Sequence, residues 1–169
     1  PVIIEEHCYL EGVDITNEDL YQAMTADKNL SSSQPSPGDV MDLWNRVLES
    51  GYDEIVHIPM SSGLSGSCQT AKQLALDYDS KVQVVDNHRI SVTLMESVYD
   101  AKFLADQGKS AVEIRKYLEE TAYQASIFLT VNSLKYLKKS GRITSSAAAI
   151  ANILNIKPLL TIQGEKLDL

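Results

Sequence analysis

Cysteine, basic charge and long apolar runs are all scarce in this 169-residue chain, and each scarcity narrows the possible functions. Cysteine occurs twice, at Cys8 and Cys68. The two are far apart and in no metal-ligand spacing, so neither a disulfide framework nor a cysteine zinc site is expected. The usage fits a reducing cytoplasm. Fifteen Lys and Arg stand against 23 Asp and Glu, for a net charge of −8. That balance does not supply the phosphate-neutralising side chains of a nucleic-acid binder. No uninterrupted apolar run reaches the roughly 20 residues of a membrane-spanning helix. Three motifs are also missing: the Gly-Lys-Ser/Thr ending of a P-loop, the G-x-G-x-x-G of a dinucleotide site, and the G-x-S-x-G of a nucleophile elbow. No cofactor or metal ion is therefore expected.

What remains is an ordinary globular composition, 44% hydrophobic and 22% charged, in a chain long enough to bury a core. "PVIIEEHCYL" reads as a strand that buries His7 and Cys8. "DITNEDLYQAMTA" follows as a short helix capped by Thr16 or Asn17, and "NLSSSQPSPGD" reads as a loop. "GDVMDLWNRVLESG" carries Val40, Leu43, Trp44, Val47 and Leu48 on one helical face. "DEIVHIPM", nearly all apolar, predicts a strand covered on both faces, with His57 inside it. A helix "LSGSCQTAKQLALDY", a strand "KVQVVD" and a long helix "ISVTLMESVYDAKFLADQG" come next. They are followed by the helix "SAVEIRKYLEETAYQ", whose Ser110 and Glu113 form a capping box. Strand–helix alternation predicts an α/β fold with a mostly parallel sheet flanked by helices. After about residue 125 the rhythm restarts with a strand "ASIFLTV", helices "NSLKYLKKSG" and "TSSAAAIANILN", and a strand "IKPLLTIQ". The expected organisation is one α/β domain over residues 1–124 and the start of a second, smaller one over 125–169. The chain begins at Pro1 and stops just after an apolar strand, so both ends read as cut.

In such sheets ligands lie beyond the carboxyl ends of the strands. Three loops are expected there: Ser31–Pro37, Met60–Ser65 and Asp86–Ser91. "SSGLSG" places Ser61, Ser62 and Gly63 at the expected start of a helix, where amides, dipole and hydroxyls suit an anionic oxygen group. On spacing alone a plain serine N-cap explains the stretch equally well. His57 reads as a hydrogen-bonded core histidine. Ser62, His88 and Asp86 could compose a triad, but Asp86 and Asn87 equally suit a turn. Lys135, Lys138, Lys139 and Arg142 form the one dense basic cluster. The lysines suit a helix C-terminus, whereas Arg142 lies past the Gly141 stop and could face an anion.

"SSQPSPGD", "SSGLSG" and "LKYLKKSGRI…NIKPLLTI", in this order and spacing, resemble the DegV family of bacterial fatty-acid-binding proteins. The likeness runs over essentially the whole chain, and "LEGVDITNEDLY" is similar to that family's early segment. The resemblance implies a two-domain α/β carrier that encloses one long-chain fatty acid and performs no chemistry of its own. In the type it resembles, the carboxylate is held by Ser/Thr hydroxyls near the domain junction. It is presented there to a separate fatty acid kinase, which forms an acyl phosphate for phospholipid synthesis. Carried over by motif, the carboxylate-binding hydroxyls fall at Ser32 and Ser62, and the arginine near the acyl-phosphate end falls at Arg142. Three residues depart from the pattern: Ser32 replaces a threonine, Ser140 replaces the first glycine of G-G-R-I, and Cys68 stands where an aromatic is common. Against the family pattern the sequence reads as a fragment, expected to lack the first strand and much of the C-terminal domain, which brings a carboxylate-contacting histidine in some members. One wall of the acyl channel is expected on the long helix, at Ile90, Leu94, Met95 and Val98. The competing reading is a phosphosugar-binding or isomerase-type α/β domain that grips phosphate with the same serine turn. A third is a serine hydrolase using Ser62 and His88.

Overall fold

The computed structural model describes residues 1–150, 158–163 and 166–168, and for Ala148, Ile150 and Gln163 the backbone alone. It is a mixed α/β structure that divides into two compact units, Pro1–Ser36 and Pro37–Leu169.

The first unit holds β1 (Val2–Ile4), β2 (His7–Tyr9), α1 (Asn17–Thr25) and β3 (Leu30–Ser32). The segment expected as one strand is a hairpin, pairing Val2 with Tyr9 and Ile4 with His7. Two consecutive glutamates interrupt the apolar run, and Glu5 takes φ 55°, the left-handed value that a two-residue hairpin connection uses. β3 pairs with the other side of β1, Val2 opposite Ser32, so part of the serine loop is a strand. The sheet order β2-β1-β3 leaves β2 at an edge. That is why His7 and Cys8 are exposed and not buried as expected. Thr16 caps α1 in a capping box with Asp19, and Ile4, Ile15 and Ala23 form the core of this unit.

The second unit contains α2 (Pro37–Glu49), β4 (Ile55–His57), α3 (Ser67–Leu74), β5 (Val82–Val84), α4 (Ser91–Asp106) and α5 (Ala111–Glu120). β6 (Phe128–Thr130), α6 (Lys135–Lys139), α7 (Ser145–Ile150), β7 (Leu159–Gln163) and β8 (Lys166–Asp168) follow. β4 and β5 are parallel, with Ile55 opposite Val82 and His57 opposite Val84. They are joined through α3, as a parallel pair requires. Among the described residues the other strand ladders are antiparallel, namely the first unit's sheet and the order β6-β7-β8, while Glu11–Ile15 and Ile143–Leu167 are isolated parallel bridges. Too few residues separate β7 from β8 for a crossover. The expected continuation of α7 over residues 151–155 and the start of the last strand at 156–157 lie outside the described residues.

The parallel pair is covered on both faces. Trp44 of α2 and Cys68 and Ala71 of α3 pack on Val82 and Val84. Ala101 of α4 and Ile114 and Leu118 of α5 pack on Val85, with Val56 and Ile58 beside them. A third cluster joins Leu64 to Leu134, Ile143, Ala147, Leu160 and Leu167. His57 accepts a hydrogen bond from Trp44 Nε1 at 3.3 Å. Burial holds its pKa below the ordinary value, so it serves as the neutral acceptor expected of a core histidine.

Candidate functional site

The segment after β4 and the segment after β5 meet at the carboxyl ends of the parallel pair. Ser61 N–H donates to the Arg89 carbonyl at 3.0 Å, and Ser62 N–H donates to Asp86 Oδ1 at 3.3 Å. Helix α3 begins at Ser67, not near Leu64 as the sequence suggested. Ser61–Leu64 instead form a turn, with the amides of Leu64 and Ser65 donating to the Ser61 carbonyl. The helix-terminus argument therefore does not apply at Ser61–Gly63: the Ser61 and Ser62 amides are spent on Arg89 and Asp86, and those of Leu64 and Ser65 on the Ser61 carbonyl. The φ of Gly63 also lies outside the left-handed region, so backbone freedom is not what places glycine there.

Hydroxyls and loop polar groups supply the chemistry instead. Ser61 is 1% exposed, and its Oγ has no hydrogen-bond partner. Asn87 Oδ1 and His88 Nδ1, from the facing segment, are likewise buried without partners. A buried polar atom left unsatisfied costs free energy and calls for an explanation such as a ligand or a water. Burial works against ionising Asp86, but the hydroxyl and amide of Ser62, with His88 and Lys72, outweigh it and hold the carboxyl below its usual pKa. Lys72 Nζ lies 3.5 Å from this carboxylate and His88 Nδ1 3.8 Å. Asp86 thus sits against both Ser62 and His88. A triad needs histidine between serine and carboxylate, and that order is not formed here.

Arg142 arrives at the same turn from far along the chain. Its Nε donates to the Leu64 carbonyl at 2.9 Å. It is placed by a helix stop at the end of α6: Gly141 N–H donates to Lys138 O and Arg142 N–H to Leu137 O, with Gly141 at φ 70°. This is the paired-bond termination that favours glycine. Ser140 keeps a right-handed φ of −84°, so serine in place of glycine leaves this turn intact. Ser61, Ser62, Gly63 and Arg142 are therefore gathered in one region. Ser32 lies in the first unit, exposed on the edge strand β3. Of the channel-wall residues, Ile90 packs against the Leu64 cluster, while Met95 and Val98 are about half exposed. Val98 also lines a cleft of about 380 Å³ with Val56, Ile58, Ala101 and Ile114, which Glu54, Lys102 and Lys109 also line. Cys68 takes a buried place beside Trp44, and burial, with the Asp86 charge next in importance, pushes its thiol up to about 11.

Sequence reasoning missed Lys72, Arg89 and Ser97. Each lies on a helix or turn where a solvated polar residue is the ordinary expectation, and nothing local marks it as inward-facing. Among the described residues no group of His, Cys, Asp and Glu is arranged to hold a metal ion, and no helix is long and apolar enough to cross a membrane.

The chain is 34% identical over 168 residues to a DegV domain-containing protein of Deinococcus radiodurans and 33% identical over 166 residues to one of Staphylococcus aureus. These alignments cover 99% and 98% of this chain but 59% of each relative. The chain thus spans about three-fifths of the relatives it matches. Its fold is similar to a fatty-acid-binding DegV protein of Thermus thermophilus (TM-score 0.86, 28% identity, 99% of this chain and 60% of that one). It is also similar to one of Streptococcus agalactiae (TM-score 0.88, 27% identity, 99% and 60%) and to a stearic-acid-binding protein of Eubacterium ventriosum (TM-score 0.83, 29% identity, 100% and 61%). The model of the family described as "Uncharacterised protein, DegV family" matches residues 1–169 from end to end. With the fold, the serine turn and the Gly-Arg turn all in place, this chain belongs to the DegV family.

Proposed function

We propose that this protein binds one long-chain fatty acid and presents its carboxylate, chemically unchanged, to a separate fatty acid kinase that forms the acyl phosphate. The observation that carries the reading is the likeness, over 99–100% of this chain, to three solved proteins described as binding fatty acids. The site geometry supports it. A buried, unpartnered hydroxyl at Ser61 is suited to donate to an anionic oxygen, and a guanidinium at Arg142 is held to the same turn. Ser62 shares its amide and hydroxyl with Asp86, which makes it a weaker donor than Ser61. The acid–base arrangement that a hydrolase needs is not part of it.

The test is organic extraction of the natively purified protein followed by mass spectrometry, then incubation of the loaded protein with a fatty acid kinase and ATP. A stoichiometric long-chain acid, stable in the protein alone and consumed when the kinase is added, is the expected result. No bound acid, together with no uptake of added stearic acid, would overturn the reading.

A further inference from the structure

Arg89 is a buried guanidinium, 7% exposed, with no carboxylate at ion-pair distance among the described residues. Buried charges normally have a counter-ion, so its donors are informative. Nη2 donates to the Thr121 carbonyl at 2.8 Å and Nε to the Ala122 carbonyl at 3.4 Å. Thr121 caps the C-terminus of α5, where the helix dipole is negative and takes the place of an acid. Nη1 donates to Ser97 Oγ at 3.1 Å. The same oxygen accepts from Asn87 Nδ2 at 2.8 Å and donates to the Thr93 carbonyl at 3.0 Å. A hydroxyl has one proton and two lone pairs, so Ser97 is fully used as a junction between α4, Asn87 and Arg89.

The segment fixed in this way is strained. His88 has φ 56° and Ser91 φ 54°, left-handed values that non-glycine residues keep only where the surroundings over-determine them. It is also the segment that faces the serine turn. The Arg89 carbonyl accepts the Ser61 amide, and Asn87 Oδ1 and His88 Nδ1 are two of the buried atoms without a hydrogen-bond partner.

We propose that Arg89 is a positioning residue of the head-group site, acting with Ser97. Its side chain clamps the 86–91 segment to the end of α5, and its carbonyl thereby sets where the Ser61 hydroxyl points. The ligand part of this proposal rests on the fatty-acid reading; the positional part does not.

The experiment substitutes Arg89→Gln in the full chain and reads two quantities well below the unfolding midpoint. These are the amide ¹H–¹⁵N signals of Ser61 and Ser62, and the affinity for stearic acid. Displaced Ser61 and Ser62 signals with affinity weakened about tenfold are expected. Arg89→Lys keeps the charge but not the planar fork and should recover little. A folded Arg89→Gln protein whose melting point falls while the Ser61 signals and the affinity stay unchanged would reduce Arg89 to a stability role and overturn the proposal. If Arg89→Gln does not fold, Ser97→Ala removes the junction hydroxyl, and the same two readouts decide. If the unsubstituted protein takes up no stearic acid, the fatty-acid reading fails, while the amide signals still decide the positional claim.

Discussion

Replacing Ser61 with alanine should move stability and binding in opposite directions. The Ser61 hydroxyl is buried and no protein group is within hydrogen-bond reach of it. A buried polar group in that state costs about 1–3 kcal/mol. Alanine removes the cost and gives up the packing of one oxygen atom, so Ser61→Ala should stabilise the delipidated protein by about 1 kcal/mol. For a chain of this size that corresponds to a rise of about 2–4 °C in Tm. With a fatty acid present the sign reverses. A hydrogen bond from the hydroxyl to a carboxylate is worth about 1.5–3 kcal/mol, so its loss should weaken binding roughly 10- to 150-fold. Ligand should then raise the Tm of the unsubstituted protein more than that of the variant. Scanning calorimetry on delipidated protein and titration with stearic acid measure the two terms separately. A Ser61→Ala Tm at or below that of the unsubstituted protein would show that the hydroxyl is already satisfied. Unchanged affinity in a folded variant would remove Ser61 from the carboxylate site.

Asp86→Ala leaves the Ser62 amide and the Lys72 ammonium without their acceptor and should cost about 2–3 kcal/mol, whereas Asp86→Asn keeps an acceptor and should cost about 1 kcal/mol; equal costs in urea denaturation would refute the assignment. The folded-state pKa values of both Asp86 and His57 are depressed. Each group therefore gives its full contribution above its ordinary pKa and loses it as pH falls through the folded value. His57 should begin to destabilise the fold below its ordinary 6.5 and Asp86 below 3.8; a His57→Gln protein that loses as much stability between pH 7 and 5 as the unsubstituted one would contradict this. Cys8 is exposed, while the Cys68 thiol is buried and pushed up to about 11. A native thiol titration with Ellman's reagent should find one fast-reacting cysteine, and two after denaturation; two fast thiols in the folded protein would refute the burial of Cys68.

The parts of the site that could be read from the sequence were those signalled by turn chemistry. Gly141 as the end of α6 and Arg142 just beyond it follow from a glycine after a lysine-rich helix turn. The importance of "SSGLSG" was visible as well, but its mechanism was not. The sequence cannot show that Leu64 and Ser65 would spend their amides on the Ser61 carbonyl and push the start of α3 to Ser67. Asp86 and His88 could be read as turn residues or as members of a triad, and the order Ser62–Asp86–His88 became apparent only in space. Arg89 carried no sequence signal, because an arginine after a strand is ordinarily solvated.

By itself the sequence determined the α/β character, the strand–helix alternation through the middle of the chain, a helix start at Thr16 or Asn17, and the capping box at Ser110. It also determined the Gly141 stop. These depend on periodicity and on hydrogen bonds between residues a few positions apart, so a short window contains all the partners. Only the tertiary structure decided that Cys8 is exposed, that Arg89 is buried, and that Ser62 meets Asp86 across 24 positions and Arg142 meets Leu64 across 78. Those contacts arise because parallel pairing sets the ends of β4 and β5 side by side and because the Leu64 cluster draws the α6 turn onto the serine turn. They are consequences of packing between distant segments, which no local pattern encodes.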